Sequence, residues 1–316
     1  MDARPLPRRL VHARWLGIAG SSVVVIAWLF FLRSQLDALQ EYSWQIDPLA
    51  FGTAVVFAAC YFAGLAFCWA LLLHRTSATS PAALGLIARI WLRSTITRYI
   101  PGNVWHILTR VAFAGQLQVS ATQVLVSSSV EQLLTLMGAL AVFGAMLPFW
   151  DLWPGTQSWL LLLLPIGLAL LHPRIFGAAL VWAAQRLGRP ALAWQYRYRD
   201  LLLLLSAYYC VTLTAGLALY IVLNGLTVVQ VAHLPLVIGA AALAWVVGYL
   251  SFITPSGLGV REAILVTLLS QIVPLPIATL ISLLFRLVLT LGEVVAVLLA
   301  SLIDRLNKGI GRGYTS

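Results

Sequence analysis

Nine apolar runs divide this chain, at residues 16–32, 49–73, 82–100, 121–147, 159–171, 201–223, 236–253, 258–272 and 277–303. A hydrocarbon core of roughly 30 Å takes about 20 helical residues to cross, and several of these runs reach that length. Backbone in hydrocarbon must satisfy its own hydrogen bonds, which a helix does within one segment. Hydrophobic residues make up 61% of the 316 residues and charged residues only 9%, with a mean hydropathy of +0.94. That is too little charge to cover a water-soluble surface. The composition therefore specifies an all-α, polytopic integral membrane protein. No stretch is long and polar enough for a separate soluble domain, so residues 1–316 form a single transmembrane domain.

The formal net charge of +10 has a topological meaning. In a soluble chain it would suggest nucleic acid, but no basic patch here is interleaved with aromatic residues, so no nucleic-acid partner is expected. The basic residues gather instead at the N-terminus (Arg4, Arg8, Arg9, Arg14), at His74 and Arg75, between His172 and Asp200, and at the C-terminus (Arg305, Lys308, Arg312). The loops at 37–47, 148–158 and 224–235 carry no arginine or lysine. The positive-inside rule makes the first set cytoplasmic and the second external. The basic start followed by run 16–32 resembles a signal peptide. No small-residue cleavage site follows, so it reads as an uncleaved first helix. Cys60, Cys68 and Cys210 all lie in apolar runs, where they pack as small hydrophobes, and the five histidines are scattered without metal-ligand spacing. Neither a metal nor another cofactor is expected.

Parity then shapes the topology. Run 49–73 returns to the cytoplasm and run 121–147 leaves it, so everything between 76 and 120 starts and ends inside. That stretch holds an apolar run, a Pro101-Gly102 break and a shorter mixed segment. In the second half, 201–223 goes out and 277–303 comes in. The stretch from 236 to 274 must then start and end outside, and it is broken at Pro255-Ser256-Gly257. Helix, hairpin, helix therefore occurs twice with opposite orientation, over 49–147 and 201–303, joined by a connector at 148–200. About six full crossings plus two re-entrant hairpins result, an inverted repeat of the kind transporters use. The alternative is that each hairpin is an ordinary spanning helix followed by a surface helix.

Charge inside the apolar runs marks the candidate site. Among the acidic residues only Glu131, Glu262 and Glu293 lie within such runs; Arg89, Arg93, Arg98, Arg110, Arg261 and Arg286 lie in or beside them. An intramembrane charge costs several kcal/mol unless paired or hydrated, which makes each a candidate for function or for a structural pair. Arg89 and Arg93 sit one turn apart, where they pair, bind anionic lipid or snorkel to the surface. In the segment Tyr99-Ile100-Pro101-Gly102-Asn103-Val104-Trp105, proline removes an amide donor and glycine permits a turn. The amides that open the next helix favour anions, and Arg98, His106 and Arg110 add donors. In Pro255-Ser256-Gly257-Leu258-Gly259-Val260-Arg261-Glu262 a break opens a helix, where Glu262 suits the dipole. Arg261 and Glu262 point about 100° apart, so each needs its own partner, with Arg286, Glu293 and Glu131 as the candidates.

At these two motifs the chain resembles the lysylphosphatidylglycerol synthase transmembrane-region family, flippase-like membrane domains found alone or fused to an aminoacyl-transfer domain. Arg98, Tyr99, Pro101, Gly102 and Trp105 match its first element. Pro255, Gly257, Leu258, Gly259, Arg261 and Glu262 match its second, and Glu131 fits its intervening acidic position. Asn103 stands where the family often has lysine, and Ser256 where it has glycine. The similarity runs over most of the chain, roughly 16–303. It implies a flippase without the synthase activity, moving an anionic, polyprenyl-linked or amino-modified lipid head group through a central polar cavity. It also implies that a lipid-modifying enzyme is a possible partner.

On the residues alone, a membrane enzyme acting on a polyprenyl phosphate or phospholipid is the competing function, and an accessory scaffold is a third. An enzyme would call for an acidic metal cluster or a nucleophile–base pair, and the chain has neither, so a non-enzymatic role is expected. The charge distribution predicts a cytoplasmic-membrane protein with both termini cytoplasmic. A reporter active only in the cytoplasm should report when fused to either end, and a silent C-terminal fusion would exclude an even number of crossings.

Overall fold

The computed structural model describes residues 45–76, 83–99, 104–150, 162–170, 172–186, 196–251, 257 and 259–313, together with Arg33. Every described element is helical. In chain order they are α1 (Pro48–Thr76), α2 (Leu84–Thr95), α3 (Trp105–Ala112), α4 (Ala121–Met146), α5 (Leu163–Leu170), α6 (Pro173–Arg186), α7 (Tyr198–Leu226), α8 (Leu234–Leu250), α9 (Val260–Leu269) and α10 (Leu275–Gly313). Short 3-10 turns at Ile96–Tyr99 and Ala114–Leu117 extend α2 and α3, and Val231–His233 leads into α8.

Five stretches are long and apolar enough to cross a membrane: Pro48–Arg75, Ala121–Phe149, Tyr198–Leu226, Val231–Leu250 and Leu275–Ile303. The expected first crossing at 16–32 lies outside the described residues. Of the expected crossing at 159–171, the structure describes the eight-residue α5. Helices α2, α3 and α9 have 12, 8 and 10 residues. At about 1.5 Å per residue none of the three reaches across roughly 30 Å of hydrocarbon. The outward surface is apolar, with Val56, Phe67, Leu203, Leu287, Val294 and Leu298 among its exposed side chains. A water-soluble monomer does not expose so much contiguous apolar surface. With the long apolar helices, this makes the chain a helical membrane protein.

Local signals fix where helices begin. The Asp47 carboxylate accepts from the Leu49 amide at 2.9 Å and starts α1. At α4 the Ser120 hydroxyl accepts from the Gln123 amide while the Gln123 side chain accepts from the Ser120 amide, a reciprocal cap. Such caps remove donors that hydrocarbon would leave unsatisfied.

Helix α1 lies antiparallel along α7 for its whole length. The Asp47 amide donates to the Gly225 carbonyl at one end, and Arg75 meets Asp200 at 2.5 Å at the other. Midway, Gly64 faces Val211 so closely that an added Cβ would come within 2.7 Å of a methyl group. Around this spine, α1 also packs on α2, α4 and α10, and α7 on α4, α8 and α10. Helix α8 further contacts α4 and α9, while α2 contacts α3 and α10. Lipid tails are as apolar as leucine, so helices in a bilayer associate through close packing at small residues. Gly138 lies against the Tyr208 backbone, Gly216 against Ile238, and Gly292 against the Ala58 backbone. Cys68 is buried, and all three cysteines carry free thiols.

A β-carbon at Gly292 would approach the Ala58 carbonyl carbon to 2.8 Å, whereas one at Gly52 would meet nothing within 4 Å. Gly292→Val should therefore force α10 off α1 and cost about 1–3 kcal/mol, an overpacking penalty. Thermal unfolding of the detergent-purified protein should show that loss, with Gly52→Ala unchanged beside it.

Candidate functional site

The charged residues of the apolar runs converge on the interior. Arg110 on α3 is 1% exposed and Glu131 on α4 is 2% exposed. They form an ion pair through Nη1 and a carboxylate oxygen. The Arg110 guanidinium also lies 4.9 Å from the Trp69 ring centroid and 5.1 Å from that of Trp91, and its Nε donates to the Ser94 hydroxyl at 2.9 Å. The Trp91 indole N–H donates to the other Glu131 oxygen at 2.5 Å. Aromatic faces suit a guanidinium because their quadrupole is negative and they need no desolvation of a second ion. This deeply buried pair ties α3 to α4.

A second pair joins the halves of the chain. Arg98, on the 3-10 turn after α2, meets Glu293 on α10 at 2.5 Å, and its guanidinium stands 5.1 Å from the Phe62 ring centroid. In the third pair Arg286 on α10 meets Glu262 on α9. Glu262 also accepts from the Gly259 amide at 2.7 Å through its second oxygen, which caps α9. Gly257 and Gly259 have φ of 69° and 82°, a region that a side chain rarely adopts. Gly257 also lies against Gly248 of α8, so close that a Cβ would come within 2.7 Å of its carbonyl oxygen.

Arg261 is different. It has neither a carboxylate partner nor a hydrogen-bond acceptor among the described residues, and its Nε is buried. Its guanidinium stands 5.8 Å from the Trp245 ring centroid, and Trp245 in turn stacks on Tyr249 at 5.1 Å with planes 6° apart. Gly248 makes room for it: a Cβ there would fall 2.2 Å from the Arg261 Cγ.

Two cavities of about 80 Å³ each meet at this arginine. Both are lined by Tyr61, Arg98, Trp245 and Arg261. The first is mostly apolar, with Phe62, Ala241, Leu265 and Phe285, and includes Glu262 and Arg286. The second is more polar, with Trp91, His106, Gln132, Tyr249 and the Arg110–Glu131 pair. Among the described residues no three His, Cys, Asp or Glu side chains gather as a metal site.

The structure thus brings together Arg98, Arg110, Glu131, Arg261, Glu262, Arg286 and Glu293. Tyr99 closes the 3-10 turn beside them. Trp105 is 41% exposed at the start of α3 and lines neither cavity. Pro101, Gly102, Asn103, Pro255 and Ser256 lie outside the described residues. Sequence reasoning passed over Tyr61, Trp245, Tyr249 and Gly248, because an aromatic or a glycine in an apolar run carries the same pattern whether it faces lipid, core or cavity. The chain matches no family model, no curated protein and no solved structure. The resemblance drawn from the two motifs accordingly rests on those residues alone.

Removing Glu131 leaves the enclosed Arg110 charge unpaired. Glu131→Ala should cost about 3–5 kcal/mol of stability, while an Arg110→Met, Glu131→Leu double variant should recover most of it. Thermal unfolding of the purified variants checks both. A single variant as stable as the parent would show that the pair does not support the scaffold.

Proposed function

We propose that the chain is a membrane transporter that carries an anionic lipid head group across the bilayer through the paired cavities. The observation that carries this reading is the cluster of arginines at membrane depth around Arg261, where two cavities of unlike polarity meet. Unpaired positive charge in hydrocarbon is costly, and such residues mark substrate paths. The apolar cavity suits the region where head group joins chains; the polar one suits the head group.

The fold supports an inverted repeat behind this path. Exchanging α1 with α7, α2 with α8, α3 with α9 and α4 with α10 maps the contacts among these eight helices onto one another, with α1–α7 mapping onto itself. Thus α1–α4 corresponds to α7–α10, α4–α8 to α10–α2, and α4–α7 to α10–α1. The antiparallel course of α1 and α7 supports opposite orientation of the halves. The shortness of α2, α3 and α9 supports hairpins that enter and leave on one side. Helix α8 is the exception, since Val231–Leu250 has the length to cross alone. On this reading about six helices cross the cytoplasmic membrane, both termini are cytoplasmic, and the Arg98–Glu293 pair couples the two halves.

The test is movement without turnover. Purified protein in liposomes should carry fluorescent phosphatidylglycerol between leaflets, read by quenching from outside, and the recovered lipid should be chemically unchanged. Glu293→Ala, which releases Arg98, should slow movement by about tenfold, the equivalent of roughly 1.4 kcal/mol. Altered lipid would identify an enzyme instead, and neither movement nor alteration would leave the scaffold reading.

A further inference from the structure

Among the described residues, the charges lining the two cavities sort into ion pairs and one remainder. Arg98, Arg110 and Arg286 are each engaged by one carboxylate, from Glu293, Glu131 and Glu262 respectively. Arg261 is left over, facing Trp245 and lining both cavities. Among the described residues, these four arginines against their three glutamates leave one unit of positive charge at the cavities.

A cation so placed is most stable when one anionic charge joins it. A second anionic charge would have no cation of its own, because the other three guanidiniums are already neutralised. In a low dielectric such an unmatched charge costs much more than at a surface. An uncharged or zwitterionic head group, in turn, brings no net charge to cancel the arginine.

We infer that Arg261 sets the specificity of the cavity, selecting a head group with a single net negative charge, a phosphodiester, over both phosphomonoesters and zwitterions. The inference rests on the reading of the cavities as a lipid path. It goes beyond that reading by fixing the charge of the occupant and the residue that reads it.

The geometry equips Arg261 for this. The Arg261 guanidinium stands 5.8 Å from the Trp245 ring centroid and has no acceptor among the described residues, and a guanidinium can donate two parallel N–H bonds to one phosphate. Tyr249, stacked on Trp245, fixes the ring. Gly248 lets the side chain pass along α8 without a clash. The neighbouring carboxylates are taken up by their own arginines, so they hold the field near Arg261 at a net single charge.

The full-length protein in detergent is titrated with phosphatidylglycerol, phosphatidic acid and phosphatidylcholine, and bound lipid is counted by native mass spectrometry at pH 8. Phosphatidic acid carries close to two charges there, as a phosphomonoester above its second ionisation does. Phosphatidylglycerol should bind about tenfold or more tighter than either of the others, as a charge-assisted hydrogen-bonded contact warrants. Arg261→Gln should abolish that preference and Arg261→Lys should retain most of it, with thermal unfolding confirming that both variants fold. The head-group series on the parent protein needs no variant and stands if Arg261→Gln fails to fold. Phosphatidic acid binding as tightly as phosphatidylglycerol, or an undiminished preference in folded Arg261→Gln, overturns the inference. Soluble glycerophosphoglycerol competing at the same concentration as the lipid would overturn the lipid path on which the inference rests, by showing that the site takes a free phosphodiester, and would leave the charge selectivity of Arg261 standing. The transport reading fails separately: lipid that binds with the expected preference but does not move in liposomes refutes transport and leaves the selectivity of Arg261 standing.

Discussion

Three arginine–glutamate pairs among the apolar helices are the constraint around which the rest of the described structure is arranged. A lone charge in a membrane interior costs several kcal/mol, and a pair recovers this only with good geometry and further hydrogen bonds. Each pair here has that support. Arg110–Glu131 has two tryptophan rings and an indole donor. Arg98–Glu293 has the Phe62 ring. Arg286–Glu262 has the Gly259 amide at a helix start. Two pairs join successive helices, α3 to α4 and α9 to α10, and the third joins the end of α2 to the distant α10. They fix the short helices, which apolar packing alone would hold poorly against lipid of equal apolarity.

Packing makes these contacts reachable. Glycines at 64, 138, 216 and 292 let helix axes approach until side chains on one touch backbone on the next. At the site, Gly257 lies directly against the Gly248 backbone, and Gly248 makes room for the Arg261 side chain. A larger residue at Gly248 would displace the Arg261 side chain, and one at Gly257 would push the turn off α8. The same kind of small residue thus sets both the helix packing and the place of the cavity arginine.

Much of the architecture was legible in the sequence, because hydrocarbon imposes a length and a polarity that appear directly as apolar runs. The run at 121–147 is α4 within a residue or two, and 201–223 is the middle of α7. The partners of the charges were less legible. Glu131, Glu262 and Glu293 stand out as costly in an apolar run, and so do their arginines. Which pairs form depends on how helices face one another, and a single sequence does not encode that in a local pattern. Arg286 was among several candidates for Glu262; the structure selects it. The aromatic wall of the cavities left no signal, since Trp245 and Tyr61 follow the same periodicity as any buried ring. The two motif breaks at 101–103 and 255–256, on which the family resemblance leans, fall outside the described residues.

The spine formed by α1 and α7 also restricts which movements the molecule can make. The rods are pinned near both ends, at Asp47–Gly225 and Arg75–Asp200, and keyed in the middle where Gly64 receives Val211. Sliding one rod along the other by a single turn would displace all of these contacts together. Rolling one rod about its own long axis through a few degrees displaces them much less. Piston-like travel is therefore the expensive degree of freedom, and rocking about the shared axis is the inexpensive one. Helices α4 and α10 each bear on both rods, so such a roll is passed to both sides of the spine at once.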